Sequence, residues 1–133
     1  MISNRDAIAT PSGPPHKAIR MIQATVRIVA PDGKRSEALE VLRSLKEPTE
    51  VSKGCLGCRI LQDIDDQYAL TCLEYWETLE DLEQHIRSER FRQLLPYIDL
   101  SVEPPEVKFD SVDTIHGIEF LVDTLSPRLR PSA

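Results

Sequence analysis

The chain lacks the features that mark membrane, secreted or nucleic-acid-binding proteins. No apolar run approaches the roughly 20 residues a bilayer span needs. The opening stretch, MISNRDAIATPSGPPHKAIR, has no apolar core of the about 7–15 residues found in a secretory signal, which predicts a cytoplasmic protein. Lysine and arginine are outnumbered, 16 against 22 acidic residues, and they do not cluster. A net charge of −6 without a basic patch argues against a phosphate-backbone partner. Aromatics are scarce at 5%, so an apolar pocket here would be walled mainly by Leu, Ile and Val. Five glycines fall in no phosphate-cradling spacing, and H-E-x-x-H and G-x-S-x-G are missing. A nucleotide or flavin site of the ordinary type is therefore not indicated. The three cysteines, Cys55, Cys58 and Cys72, are an odd number, which suggests reduced thiols.

What remains is a set of short periodic segments whose length fits one domain with loose ends. Residues 1–19, rich in Pro and small polar residues, read as a flexible arm. Met21 to Ala30 alternates, with Ile22, Ala24, Val26 and Ile28 on one face, as in a half-buried strand. From Lys34 to Lys46 the period becomes helical, through Ala38, Leu39, Leu42 and Leu45, and Pro48 is expected to end the helix. Cys55 to Ile64 and Tyr68 to Trp76 read as strands joined by an acidic hairpin. Thr78 to Ser88 reads as a helix with Thr78 as N-cap, Asp81 in the capping-box position and Leu79, Leu82 and Ile86 as its buried stripe. Phe91, Leu94 and Leu95 extend the apolar pattern until Pro96, which is expected to end it. Glu106 to Asp113 alternates as a fourth strand. Ile118, Leu121, Val122 and Leu125 predict a C-terminal helix that packs on something, within a terminal region 114–133.

The order β-α-β-β-α-β predicts an α+β, ferredoxin-like domain over residues 20–113, with a four-stranded antiparallel sheet and both helices on one face. The bare face then needs a cover. A homodimer packed sheet to sheet, as a dimeric α/β barrel, would supply it, and the terminal helix could lock the partner.

Five residues stand out as candidates for chemistry. His85 borders the stripe of the second helix, where an imidazole could move a proton or bind a substrate oxygen; a buried histidine satisfied by a backbone carbonyl is the alternative. Trp76, the single tryptophan, ends the third strand and could wall an aromatic pocket, or serve only as core. Glu74 shares its face with Tyr68, Leu70, Cys72 and Trp76, and a buried carboxylate needs a partner, for which Arg27 or Arg59 are candidates; it could instead sit at a polar pocket, binding substrate, or at a dimer seam. Cys55 and Cys58 form a C-x-x-C, a weak sign of metal or redox use. On a regular strand the two side chains would point to opposite faces, and no metal site is expected.

The run from Gly54 to Leu94 resembles the antibiotic biosynthesis monooxygenase family. Members commonly carry a G-C-L-G-Y-like strand, an acidic hairpin, an E-x-W-E-S-like strand end and H-x-x-S-x-x-F on the following helix. Here these are Gly54-Cys55-Leu56-Gly57-Cys58, Asp63 to Asp66, Glu74-Tyr75-Trp76-Glu77-Thr78, and His85 with Ser88 and Phe91. The resemblance spans about residues 20–113. It implies a dimeric ferredoxin-like fold and a cofactor-independent monooxygenase acting on a quinol- or anthrone-like aromatic with molecular oxygen. It assigns proton handling or substrate hydrogen bonding to His85, a pocket wall to Trp76, and a lesser pocket role to Tyr68. Arg90 stands where many members have His, and Cys58 where they have Tyr, which points away from an identical substrate. The haem-degrading branch has Trp in place of His85 and His near Leu95, so haem degradation is not implied. Two further readings stay open: a non-catalytic small-molecule-binding dimer, and a related dimeric-barrel enzyme such as an isomerase or decarboxylase. The monooxygenase reading expects a closed apolar pocket between sheet and helices, lined by His85 and Trp76.

Overall fold

A computed structural model describes residues 19–126 of the chain. The expected arm over residues 1–19 and the tail beyond Pro127 lie essentially outside that range. Arg20–Asp113 forms one compact unit.

Its elements run β1 (Ile19–Val29), α1 (Arg35–Glu50), β2 (Cys55–Gln62), β3 (Ala69–Trp76), α2 (Leu79–Ile86), α3 (Glu89–Arg92), α4 (Leu95–Asp99) and β4 (Glu106–Thr114). The strands form one open antiparallel sheet in the order β2-β3-β1-β4. This is the ferredoxin-like arrangement expected from the alternating and helical periods. β1 pairs with β3 from Ile22 opposite Trp76 to Val29 opposite Ala69.

One face of the sheet is buried because alternate strand residues are apolar. Val26 and Ile28 of β1, Cys58 of β2, and Leu70 and Cys72 of β3 pack against Ala38, Leu42 and Leu45 of α1 and against Phe91, Leu94 and Tyr97. Fully burying a side chain such as Leu42, Leu70 or Ile28 contributes about 1.5–3 kcal/mol. Ala24, Trp76 and Leu82 make a smaller cluster beside it. On the face without helices, Gln23, Arg27, Thr71, Leu73 and Tyr75 are half-buried.

Both prolines expected to stop helices act differently. α1 continues through Pro48 to Glu50. Pro48 offers no N–H to the preceding turn, yet Leu45 and Thr49 are buried on either side of it and hold the last turn against the core. Pro96 occupies the first turn of α4, where its missing N–H costs nothing, so it starts a helix. The stripe of α2 also differs: Leu79 is 55% exposed, whereas Leu82 and His85 are buried. The cap explains this, since Thr78 Oγ1 accepts from the Asp81 N–H at 3.1 Å and sets the helical phase.

Beyond the compact unit, α5 (Ile118–Leu125) forms as its period predicted. None of its residues is buried, so the apolar side chains expected to pack are exposed. His116 stacks on Phe120 with ring centroids 4.8 Å apart.

Candidate functional site

β3 and α2 converge where the strand ends and the capped helix begins. β3 alternates, so Cys72, Glu74 and Trp76 all point toward the helices. Leu82 and His85 point back, three residues apart on one helical face.

The result is a buried polar group around Glu74. Its Oε1 accepts from Trp76 Nε1 at 2.9 Å. Its Oε2 lies 3.2 Å from His85 Nε2 and accepts from the Cys72 thiol at 3.5 Å. Glu74 is 4% exposed and His85 6%. Both would be costly to bury without these partners. The partners named from sequence are elsewhere: Arg27 pairs with Asp63 at 2.8 Å, and Arg59 is exposed. The physical reason is alternation, which sends odd-numbered β1 residues such as Arg27 to the face away from Glu74.

The imidazole is held on three sides. Its ring centroid lies 4.8 Å from Trp76 and 5.5 Å, edge-on, from Phe91. The tautomer that suits the Glu74 carboxylate carries its proton on Nε2, leaving the Nδ1 lone pair to accept. This is the base-and-orienter geometry of many proton-transfer sites.

His85 and Trp76 contribute to a hollow of about 350 Å³, together with Ser52, Lys53, Ser88 and Arg90 among others. It differs from the closed apolar pocket expected between sheet and helices. That space is filled by the core side chains, and the hollow opens at the surface with a largely polar rim. Tyr68 is not part of it. It stands at the opposite end of β3, where its hydroxyl donates to Asp32 at 3.2 Å. At about 3.3 Å per residue, the eight-residue separation from Trp76 is roughly 26 Å.

The two cysteines of the C-x-x-C also depart from expectation. β2 pairs Cys55 with Trp76, then Gly57 with Tyr75 and Cys58 with Glu74, so the strand carries a bulge between Cys55 and Gly57. The extra residue shifts the alternation, and both cysteines register opposite helix-facing residues. Cys58 thereby reaches Cys72 and Glu74, and the three donor atoms lie within 4.8 Å of one another. Hydrogen bonding with Cys58, then burial, then the charge on Glu74 hold the Cys72 thiol well above the ordinary thiol range. Burial raises Cys55 as well. The place of Cys72 beside Glu74 follows from a two-residue count; that of Cys58 does not, because the bulge has no sequence signal beyond Gly57.

Fold and site together define a small ferredoxin-like domain with a buried imidazole–carboxylate pair whose imidazole lines a hollow of ligand size. The pattern of the antibiotic biosynthesis monooxygenase family matches residues 21–96, more than half of the chain, and the protein belongs to that family. A conserved protein from Methanosarcina mazei Go1 is similar in structure at 26% identity and a TM-score of 0.62, covering 68% of this chain and 90% of its own. Protein SO0527 from Shewanella oneidensis is similar at 17% identity and a TM-score of 0.66, covering 74% and 98%. An antibiotic biosynthesis monooxygenase is similar at 20% identity and a TM-score of 0.61, covering 72% and 100%. No curated protein matches the chain. No helix among the described residues is long and apolar enough to cross a membrane.

Proposed function

We propose that the protein is a cofactor-independent monooxygenase that oxidises a quinol- or anthrone-like aromatic with molecular oxygen. The observation that carries this reading is His85, held by the buried Glu74 and two aromatic rings and contributing to a hollow large enough for a bicyclic or tricyclic ring system.

In this chemistry His85 takes a proton from the substrate, whose electron pair then forms a carbon–oxygen bond to O2. Returning the proton completes a hydroperoxide. Loss of water breaks the O–O bond and leaves a carbonyl, so one oxygen atom enters the product and one leaves as water. All electrons come from the substrate, which is why no cofactor is invoked. The protein contributes orientation and a fixed base. Trp76 serves as a wall of the site, and Glu74 orients His85 through Oε2 rather than touching substrate.

The working unit of this proposal is a cytoplasmic homodimer. Val107 and Phe109 of β4 and the apolar residues of α5 are exposed in the single chain, which supports a second copy as their cover.

The test is oxygen uptake with reduced menadione and with anthrone. Uptake should exceed the spontaneous rate and fall at least tenfold in His85→Ala. Uptake equal to the spontaneous rate for both substrates, or an unchanged rate in His85→Ala, refutes the proposal. Thermal stabilisation by aromatic ligands without turnover would instead favour a binding protein. Sedimentation showing a monomer at micromolar concentration would refute the dimer.

A further inference from the structure

The cluster of Cys58, Cys72 and Glu74 carries a second function. We propose that these three residues, with His85 as the fourth ligand, bind one zinc ion. The donor set and its spacing support this. Two thiols, one carboxylate and one imidazole suit a borderline-soft divalent cation, and zinc takes such S and N/O ligands in a tetrahedron. With metal–sulfur bonds of about 2.3 Å and metal–oxygen or –nitrogen bonds of about 2.0 Å, tetrahedral edges come to roughly 3.5 Å for O···S and 3.3 Å for O···N. The Glu74 Oε2–Cys72 Sγ distance is 3.5 Å and the Glu74 Oε2–His85 Nε2 distance is 3.2 Å. Cys58 Sγ lies within 4.8 Å of both other donors, so a small contraction completes the set. His85 falls outside the group in which every donor lies within that limit, and its ring must tilt toward the sulfurs to bind.

Three features favour a metal over other uses of these thiols. The β2 bulge turns Cys58 onto the Glu74 face, where a regular strand would have pointed one of the two C-x-x-C thiols away. A Cys58–Cys72 disulfide is disfavoured by register. Cys58 faces Glu74 and Cys72 faces Ile60, so the pair is diagonal, a relation that separates Cα atoms by about 7–8 Å, more than the usual limit of about 7 Å for a bridge. A way in also exists. Cys58 lines a groove of about 640 Å³ beside edge strand β2, and His85 contributes to the separate hollow.

This proposal does not rest on the monooxygenase reading, and its readouts are independent of turnover; a zinc ion on His85 Nε2 moves the imidazole proton to Nδ1, so the metal-bound form has no free base and the two uses of His85 exclude each other in one molecule. The full chain, reduced and stripped with a chelator, is titrated with Co2+ and Zn2+. One Co2+ should bind per chain with a near-ultraviolet thiolate-to-cobalt charge-transfer band and intense tetrahedral visible bands, both displaced by one equivalent of Zn2+. Cys58→Ser and Cys72→Ser should each weaken Zn2+ binding at least 100-fold. Cys55→Ser, which alters the cysteine outside the cluster, should bind like the wild type. Absence of the charge-transfer band in the wild-type protein, or equal loss in Cys55→Ser, overturns the site. If the serine variants do not fold, the wild-type spectrum and the Cys55→Ser control still decide it. An octahedral, thiolate-free Co2+ spectrum would place the metal elsewhere and also refutes the proposal.

Discussion

Replacing Glu74 tests the buried polar group most directly. Glu74→Ala removes the acceptor for Trp76 Nε1, for the Cys72 thiol and for His85 Nε2, all of them buried side chains. A buried donor left unpaired costs about 1–3 kcal/mol. Trp76 Nε1 can only donate and pays this in full; the imidazole can change tautomer, and a thiol is a weak donor, so both pay less. Adding the small void left by the side chain gives a loss of about 3–5 kcal/mol. Glu74→Gln keeps the shape and one carbonyl oxygen. With that oxygen facing Trp76, the amide N–H points at His85 Nε2, which must then accept. The expected loss is about 1–2 kcal/mol, or roughly 5–15 °C in melting temperature for a domain of this size. The tautomer reversal places the imidazole proton on Nδ1, so Glu74→Gln should lose far more activity than stability. Denaturant unfolding followed by the fluorescence of Trp76, with chelator present, gives the stability losses of the two variants, and oxygen uptake gives the loss of activity. If Glu74→Ala unfolds at the wild-type midpoint with unchanged Trp76 emission, the hydrogen-bonded group around Glu74 is wrong.

Gly54 has φ +82, and a Cβ there would collide with the Asp81 side chain, so Gly54→Ala should destabilise by about 1–3 kcal/mol in thermal unfolding. Thr78→Ala removes the α2 cap and should cost about 1 kcal/mol, with Thr78→Ser recovering most of it. Tyr97 donates to Glu37 at 2.6 Å, which lowers the carboxyl from its usual 4.5 and raises the tyrosine from its usual 10. The carboxylate contribution is present above pH 4.5 and is lost as pH falls through the lowered folded value. The tyrosine contribution is present below pH 10 and is lost as pH rises through the raised folded value. The stability difference between wild type and Tyr97→Phe should therefore form a plateau between those limits and shrink at both ends. A difference that stays constant from pH 3 to pH 11 would show that the pair is not coupled to titration.

The strands, the first two helices and the Thr78 cap were legible in the chain because each depends on residues within one or two turns of each other. Ala24, Val26 and Ile28 announce a buried strand face by alternation alone, and Ala38, Leu42 and Leu45 announce a helix by theirs. Position 85 stood out because the cap and Leu82 set the phase of its helix. Tertiary packing decided the rest. Pro48 stays helical because Leu45 and Thr49 anchor its turn, an energy that no local preference contains. The partners of Glu74 come from its own strand and from a helix whose angle of approach only the packed core sets, so charge pairing pointed to arginines on the wrong face. Tyr68 shares the alternation of Trp76 but sits a whole strand length from it, since a periodic pattern encodes direction and not distance from a site. The bulge that brings Cys58 beside Cys72 and Glu74 is a matter of register between β2 and β3. Register is fixed by the sum of cross-strand contacts, and a single strand read by itself does not carry it.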